Sequence, residues 1–541
     1  MLFNSYEYIF AFVPVTVIVF LLLGTTSRSW ALGWLIVASV FFYAWWRPFN
    51  LLIIGPSLVV NYILARTLLQ LAADGSRSRT KALVLTVGIV FNLCLLGYFK
   101  YANFAVNVTN HVGGTDFVLE NVILPLGISF ITFQKIAFLI DVAGGRVKAF
   151  SLRDFLLFVM FFPQLIAGPI VHFGETMPQF HKASCRFEAH TYAAGLTLFF
   201  FGLFKKVVLA DGIAAYVSPV YAFAAAGEPV TMLQAWLAAV GFTFQIYFDF
   251  SGYSDMACGI ALLFGVRLPL NFDSPLRATN IIDFWLRWHV TLTRFLTAYV
   301  YNPITLALTR RRVASGKPIL RGRQSSVGAF LFVLGGPTVI TMLLSGVWHG
   351  AGYTFILWGL LHGLFLVINH AWRQYGPKLA NPDGMKAQTV NFLSFVLCFL
   401  SVVAAMVLFR AVDVASAVNI FKGMVGLHGP GLPTMFADML GLTGFAPMTL
   451  LEGAVRWQDF AKGVLFLAGL FLIATLMPNS LQILSKYEPV LQTPKQAPTV
   501  AWIGPAAYWR PTLPWMALIA VLVVVAVMRL AGKSEFLYWQ F

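Results

Sequence analysis

The chain has 541 residues, of which 59% are hydrophobic and only 11% charged, with a mean hydropathy of +0.79. A soluble globular domain carries about 25% charged residues, so the composition excludes that class and indicates a polytopic membrane protein with no separate soluble domain. The formal net charge of +16 sits largely in short loops between apolar runs, as the positive-inside rule produces, so it points to topology and not to a nucleic-acid partner.

A spanning helix needs about 20 mostly apolar residues. Met1–Glu7 carries no basic region and no small-residue cleavage site, so the first apolar run is expected to be a retained span and not a signal peptide. In chain order the candidate spans are Tyr8–Gly24, Trp30–Trp46, Leu51–Ala72, Ala82–Phe99, Phe155–Ile170, Tyr192–Leu209, Met232–Phe248, Phe330–Val347, Phe355–His370, Phe392–Phe409, Val464–Met477 and Trp515–Met528. Some are short, and roughly eleven transmembrane helices are expected. Val122–Val142 is apolar but interrupted by Pro125 and Gly127, and reads as a re-entrant or broken segment. The basic stretch Gly75–Lys81 is expected in the cytoplasm, which puts the N-terminus outside; Arg310, Arg311, Arg312, Lys317, Arg321 and Arg323 form a second cytoplasmic basic stretch. Met435–Leu442 reads as a short interfacial helix, and Pro494, Pro498, Pro505, Pro511 and Pro514 mark a connection before the last span. Cys94, Cys185, Cys258 and Cys398 are scattered without metal-ligand spacing and read as small buried hydrophobes.

Chemistry concentrates in three places. His349 ends a long apolar run and lies between Gly346, Gly350 and Gly352, next to Trp348. An ionisable group at membrane depth is costly and marks a functional candidate, although a lone histidine is more often a satisfied core residue. The glycines favour function, because they allow close backbone approach and leave room for a ligand. A buried imidazole is kept neutral, the form a general base needs. His289 lies upstream in Asp283-Phe284-Trp285-Leu286-Arg287-Trp288-His289. Asp283, Arg287, Val290 and Arg294 fall at helical spacing, as one polar stripe that is either an interfacial face with snorkelling arginines or the wall of a reaction tunnel. The third place is Gln245–Asp255, where Gln245, Asp249, Ser251, Tyr253 and Asp255 crowd beside a span. Unpaired polar groups cost several kcal/mol in lipid, so the cluster is either an interhelical hydrogen-bond network or a substrate contact. No metal site is expected, since His349 and His362 are thirteen residues apart and His289 has no partner at ligand spacing.

At these residues the chain resembles the membrane-bound O-acyltransferase family. It is closest to the bacterial cell-surface branch of alginate O-acetyltransferases, cellulose acetylation proteins and teichoic acid D-alanyl transferases. The resemblance runs through Tyr98-Phe99-Lys100-Tyr101-Ala102-Asn103-Phe104, Leu124–Phe130 leading to Asp141, Phe162–Ile170, Gly202–Lys206, Gln245–Asp255, Arg287-Trp288-His289, Trp348-His349-Gly350 and the tail Phe536–Phe541. It implies one all-α integral membrane domain over residues 1–541, with a motif-bearing core at 98–370 and re-entrant or interfacial helices around a central tunnel. It implies that His349 is catalytic, that His289 lines the same tunnel, and that Gln245, Asp249, Ser251, Tyr253, Asp255, Arg287 and Trp348 line it or bind substrate. No tightly bound cofactor is implied. A cytoplasmic thioester, acetyl-CoA or an acyl carrier protein, would donate an acyl group to a polysaccharide or a periplasmic acetyltransferase partner, from a multi-pass protein in the bacterial inner membrane. Transfer of D-alanine, or a transporter using the same buried polar groups, is the alternative. Leu286 and Thr297-Ala298 stand where alginate-type members usually carry an arginine and an Arg-Asp pair, which bears on the identity of the polymer.

Overall fold

A computed structural model of the chain describes residues 1–73, 78–119, 122–182, 185–320, 322, 324–377, 385–431, 457–492, 504–531 and 537. Arg321, Arg323, Met435–Leu442, Pro494, Pro498 and the tail residues Phe536 and Tyr538–Phe541 lie outside the described residues. Among the described residues every regular element is a helix. The main helices are α1 (Tyr8–Thr26), α2 (Arg28–Ala44), α3 (Asn50–Ala73), α4 (Ser78–Gly113), α5 (Ile128–Ala143), α6 (Leu152–Met160), α7 (Phe173–Lys182), α8 (Ala189–Ala225) and α9 (Met232–Leu263). They continue with α10 (Ile281–Arg287), α11 (Val290–Leu296), α12 (Asn302–Ala314), α13 (Val327–His349), α14 (Tyr353–Tyr375), α15 (Lys386–Arg410), α16 (Val414–Met424), α17 (Gln458–Leu476) and α18 (Leu513–Arg529).

Eight of these, α1, α3, α4, α8, α13, α14, α15 and α17, are long and apolar enough to cross a membrane, and α2 and α18 are shorter apolar helices. Two expectations change. Phe155–Ile170 is not a span. Pro163 has no N–H to continue a helix, and the chain breaks at Phe161 (ψ 108°), leaving α6 with nine residues. At 1.5 Å per residue α6 is about 14 Å long, far short of a hydrocarbon core of about 30 Å. One carbonyl of α6 is recovered by Gln164 Nε2, which donates to Phe158 O at 2.7 Å. The second change is at Met232–Phe248, which runs on to Leu263, so the polar Gln245–Asp255 cluster lies inside one 32-residue helix and not beside a span. Val122–Val142 is broken as expected: Gly127 adopts φ +68° and the helix starts at Ile128.

Every residue of α9 from Gly241 to Leu263 is buried, as befits a helix enclosed on all sides by others. Its closest approach is to α8, and glycines set it. A Cβ on Gly202 would lie 2.4 Å from Gly252 O, and one on Gly252 2.7 Å from Gly202 O. One turn-pair away, a Cβ on Gly195 would lie 2.8 Å from Gly259 O, and one on Gly259 2.5 Å from Gly195 O. Backbones therefore touch at two levels, the small-residue packing that membranes favour. α13 and α14 form a second such pair, joined by Gly350-Ala351-Gly352: a Cβ on Gly346 would lie 2.3 Å from Phe355 O, and one on Gly359 2.4 Å from Met342 O.

Gly202→Ala is expected to push α8 from α9 and to lower the detergent melting temperature by several degrees, read by fluorescence-detected size exclusion. Gly97→Ala, where nothing lies within 4 Å, is the control. Equal melting of the two variants would refute the backbone contact.

Candidate active site

The expected helical stripe through Asp283, Arg287, Val290 and Arg294 is interrupted. Arg287 ends α10, Trp288 is extended and His289 takes a left-handed conformation (φ 43°, ψ 51°). Asp283 and Arg287 still pair across one turn at 2.9 Å, but Arg294 turns instead to Glu175. A left-handed backbone is costly for a residue with a Cβ and persists only where the surroundings impose it. Here Asp273 N donates to Arg287 O at 3.0 Å and Val290 N to Asn271 O at 2.9 Å, tying both sides of the break to the strand-like segment after α9.

That break delivers the His289 ring to the interior, where it is 1% exposed. Its Nδ1 lies 2.9 Å from Asn271 Oδ1. The same oxygen accepts from Thr291 Oγ1 at 2.8 Å and Thr291 N at 3.4 Å, while Asn271 Nδ2 donates to Ser254 Oγ at 3.0 Å. Backbone N–H groups only donate, so the amide orientation follows. The carbonyl oxygen then requires a proton on His289 Nδ1, which leaves Nε2 as the acceptor nitrogen.

His349, the last residue of α13, is buried at 6% exposure among aromatic rings: Trp348 at 4.8 Å, Trp358 at 5.0 Å and Phe409 at 5.2 Å between centroids. Trp348 bridges the two histidines, its ring 6.4 Å from His289 and stacked on Phe133 at 4.9 Å. His349 is also within electrostatic reach of His289, Lys100 and His362. His362, from α14, is fully buried, accepts from Trp285 Nε1 at 3.3 Å through Nδ1 and packs 4.9 Å from Trp358. Three imidazoles from α14, the end of α13 and the α10–α11 break thus share one aromatic shell. Among the described residues no group of three or more His, Cys, Asp or Glu side chains forms a metal-binding cluster. Of the two uses expected of the glycines, close approach of a neighbouring helix is the one found. A Cβ on Gly350 would lie 2.1 Å from the Phe355 ring, so Gly346 and Gly350 admit α14 and not a ligand.

The α9 cluster divides. Lys206 pairs with Asp249 at 2.6 Å and Asp211 at 2.7 Å; Lys205 pairs with Asp255 at 2.6 Å, and Ser480 donates to the same carboxylate. Tyr253 stacks on Phe3 at 4.6 Å. These are contacts of an interhelical network. Gln245 and Ser251 are buried, and among the described residues Gln245 Oε1 and Ser251 Oγ have no hydrogen-bond partner. The α9 residues that face His289 are others: Phe250, with its ring at 4.7 Å, and Ser254 through Asn271. Composition gave no sign of this, because it depends on which face of α9 meets the α10–α11 break. His362 and Lys100 did carry a signal, an ionisable residue inside an apolar helix.

An aromatic stack leads away from Trp348 through Phe133 and Phe295, 4.2 Å apart, to Tyr299. There the Tyr299 hydroxyl donates to Asp141 Oδ2 at 2.9 Å and lies 3.1 Å from His172 Nδ1, with Arg146 on the other Asp141 oxygen at 3.0 Å. The stack joins the buried histidines to a second polar cluster at the C-terminal end of α5.

Residues 78–316 match the sequence model of the membrane-bound O-acyltransferase family. The chain is 38% identical to a peptidoglycan O-acetyltransferase of Helicobacter pylori, over 80% of this chain and 81% of that protein. It is 35% identical to a probable alginate O-acetylase AlgI of Pseudomonas aeruginosa, over the full length of both. A teichoic acid D-alanyltransferase of Streptococcus thermophilus is 30% identical over 52% of this chain and 64% of its own length.

Lys206→Met should lower the melting temperature more than Asp249→Asn, because the lysine serves two aspartates while Asp249→Asn leaves it paired with Asp211. Breaking a buried ion pair costs about 3–5 kcal/mol. The reverse order in a thermal unfolding series would show that the network is not what holds α8 to α9.

Proposed function

The chain belongs to the membrane-bound O-acyltransferase family and is an acyltransferase of many membrane-spanning helices, and from that premise we propose that it moves an acetyl group from a cytoplasmic thioester to an extracytoplasmic polysaccharide, with His349 as general base. The observation that carries the reading is the shared aromatic shell around His349, His289 and His362. An aromatic enclosure excludes water that would hydrolyse a thioester. In this reaction the His349 imidazole takes the proton of an acceptor hydroxyl as the oxygen bonds to the thioester carbonyl carbon. The C–S bond then breaks, and the imidazolium returns the proton to the departing thiolate. His289, its Nδ1–H fixed by Asn271, offers an acceptor nitrogen that orients the hydroxyl or relays its proton. Trp348 separates the two rings and lines the path.

Acetyl transfer is favoured over D-alanyl transfer by the extent of likeness. Relatives named for alginate and peptidoglycan O-acetylation match 78% of the chain or more, those named for teichoic acid D-alanylation about half. The acceptor is a cell-envelope polysaccharide, or a periplasmic acetyltransferase partner that relays the group, and the protein sits in the bacterial inner membrane. The donor is acetyl-CoA or an acyl carrier protein, with no tightly bound cofactor. Both donors are anionic. Arg310 and Arg311 are exposed at the C-terminal end of α12, placed to attract such a donor. Arg312 is engaged locally: its Nε donates to Pro318 O at 2.9 Å and its guanidinium lies 5.6 Å from the Phe332 ring centroid.

His349→Ala is expected to reduce thiol release from acetyl-CoA in proteoliposomes by about 10²–10⁴-fold, the usual worth of a general base, with the protein still inserted. Turnover near wild type would sink the assignment. Arg310→Gln with Arg311→Gln is expected to raise the donor KM and to leave kcat unchanged, since uniform binding is lost. The difference should shrink with salt, because exposed charges are screened beyond about 8 Å at physiological ionic strength. An unmoved KM would remove the docking role.

A further inference from the structure

We infer that Lys100 and Tyr101 are positioning residues for acyl transfer: from α4 they cap the C-terminus of α13 and so fix the backbone that carries Trp348 and His349. This rests on the proposed role of His349 as general base.

The argument begins with the end of a helix. The last four carbonyls of an α-helix have no partner within it. In α13 these belong to Gly346, Val347, Trp348 and His349. The chain that follows supplies one donor, Gly350 N to Gly346 O at 3.4 Å. It cannot supply the usual left-handed cap, because Gly350 and Gly352 are both extended (φ −160° and −166°) to make the short turn into α14. The other three carbonyls are met by two side chains of α4. The Tyr101 hydroxyl donates to Val347 O at 2.6 Å. Lys100 Nζ donates to Trp348 O and, at 3.0 Å, to His349 O.

Each part of this arrangement has a physical reason. A carbonyl left without a donor inside a membrane protein costs several kcal/mol. An ammonium is the strongest available donor, and a cation at a helix C-terminus also meets the negative end of the macrodipole. Lys100 has no carboxylate beside it among the described residues, and its Nζ is met by these carbonyls and by the Trp348 ring, 5.8 Å from Nζ to the centroid. The clamp therefore grips His349 through its main chain and Trp348 through both main chain and ring. A general base displaced by about 1 Å can lose about 10²-fold in rate.

Full-length protein in proteoliposomes, with acetyl-CoA as donor and thiol release as readout, tests the inference. Lys100→Met is expected to lower kcat about 10–100-fold while the donor KM stays within about twofold, the pattern of an interaction that matters in the transition state and not in donor binding. Lys100→Arg should recover most of the loss, because a guanidinium also presents two N–H donors to two carbonyls. Tyr101→Phe should lose about three- to tenfold by the same reasoning, and it carries the test if Lys100→Met does not fold. Wild-type kcat in Tyr101→Phe and Lys100→Met, a raised KM with unchanged kcat, or a Lys100→Arg no better than Lys100→Met would each overturn the inference. His349→Ala is run beside them. If it is inactive while Lys100→Met is at wild-type rate, the clamp alone falls; if His349→Ala retains full turnover, the base reading falls and the clamp with it.

Discussion

Backbone contact between paired glycines is the constraint on which the rest of the structure depends. Lipid is as apolar as the side chains it surrounds, so helices in a bilayer gain little from hydrophobic burial and must hold together by close packing and by polar contacts. Gly195 with Gly259 and Gly202 with Gly252 bring α8 against α9 until carbonyls lie where a Cβ would be. Only at that separation do Lys205 and Lys206 reach Asp255 and Asp249 with bonds of 2.6 Å. Gly346 with Gly359 does the same for α13 and α14, and the result is that His349 and His362 share the Trp358 ring. Small residues thus precede chemistry in the causal order: the gap closes first, and the charged and aromatic groups meet as a consequence.

Two kinds of polar group occupy this interior, the lysine–carboxylate pairs of α8 and α9 and the buried imidazoles. Charged pairs from α8 and α9 stabilise the scaffold, each carboxylate answered by a lysine. The imidazoles are enclosed by aromatic rings, with amide and indole partners: Asn271, itself held by Thr291, behind His289, and Trp285 beside His362. A neutral partner orients an imidazole without fixing its charge. The α9 carboxylates, prominent in the sequence, belong to the first kind.

Much of the architecture was legible in the sequence because apolar length is a strong signal. Most expected spans appear as helices, although those ending at Phe99, Leu209 and Phe248 continue to Gly113, Ala225 and Leu263, and Pro125 with Gly127 marked the start of α5. Phe155–Ile170 misled because hydropathy reports burial and cannot tell lipid from protein; one proline inside the run was the better guide. The candidate site was legible at single residues: His289 and His349 stand out in the sequence as ionisable groups in apolar surroundings, and both rings lie against Trp348. What stayed hidden depends on rotation and breaks. Helical periodicity carried Asp283 through to Arg294, but the left-handed turn at His289 divides that stripe, and nothing in the spacing marks a non-glycine residue for that conformation. Ser254 could not be separated from Ser251, since choosing between them requires knowing which face of α9 meets the break.

The pairing of α8 with α9 also bears on how the chain enters its membrane. Lys205 is synthesised fifty residues before the Asp255 that neutralises it. A charged side chain delivered alone to the middle of a bilayer costs about 2.5–3.5 kcal/mol on insertion scales, and α8 carries two lysines together. Released one helix at a time, α8 would face lipid with Lys205 bare, since Lys206 alone of the two has a carboxylate, Asp211, on its own helix, and α9 would follow with two bare carboxylates. The energetics favour retention of α8 at the site of insertion until α9 has emerged, so that the two pass into lipid as a neutralised hairpin. The glycine faces that close the mature contact would then act first during biogenesis, as the surfaces along which the nascent helices meet.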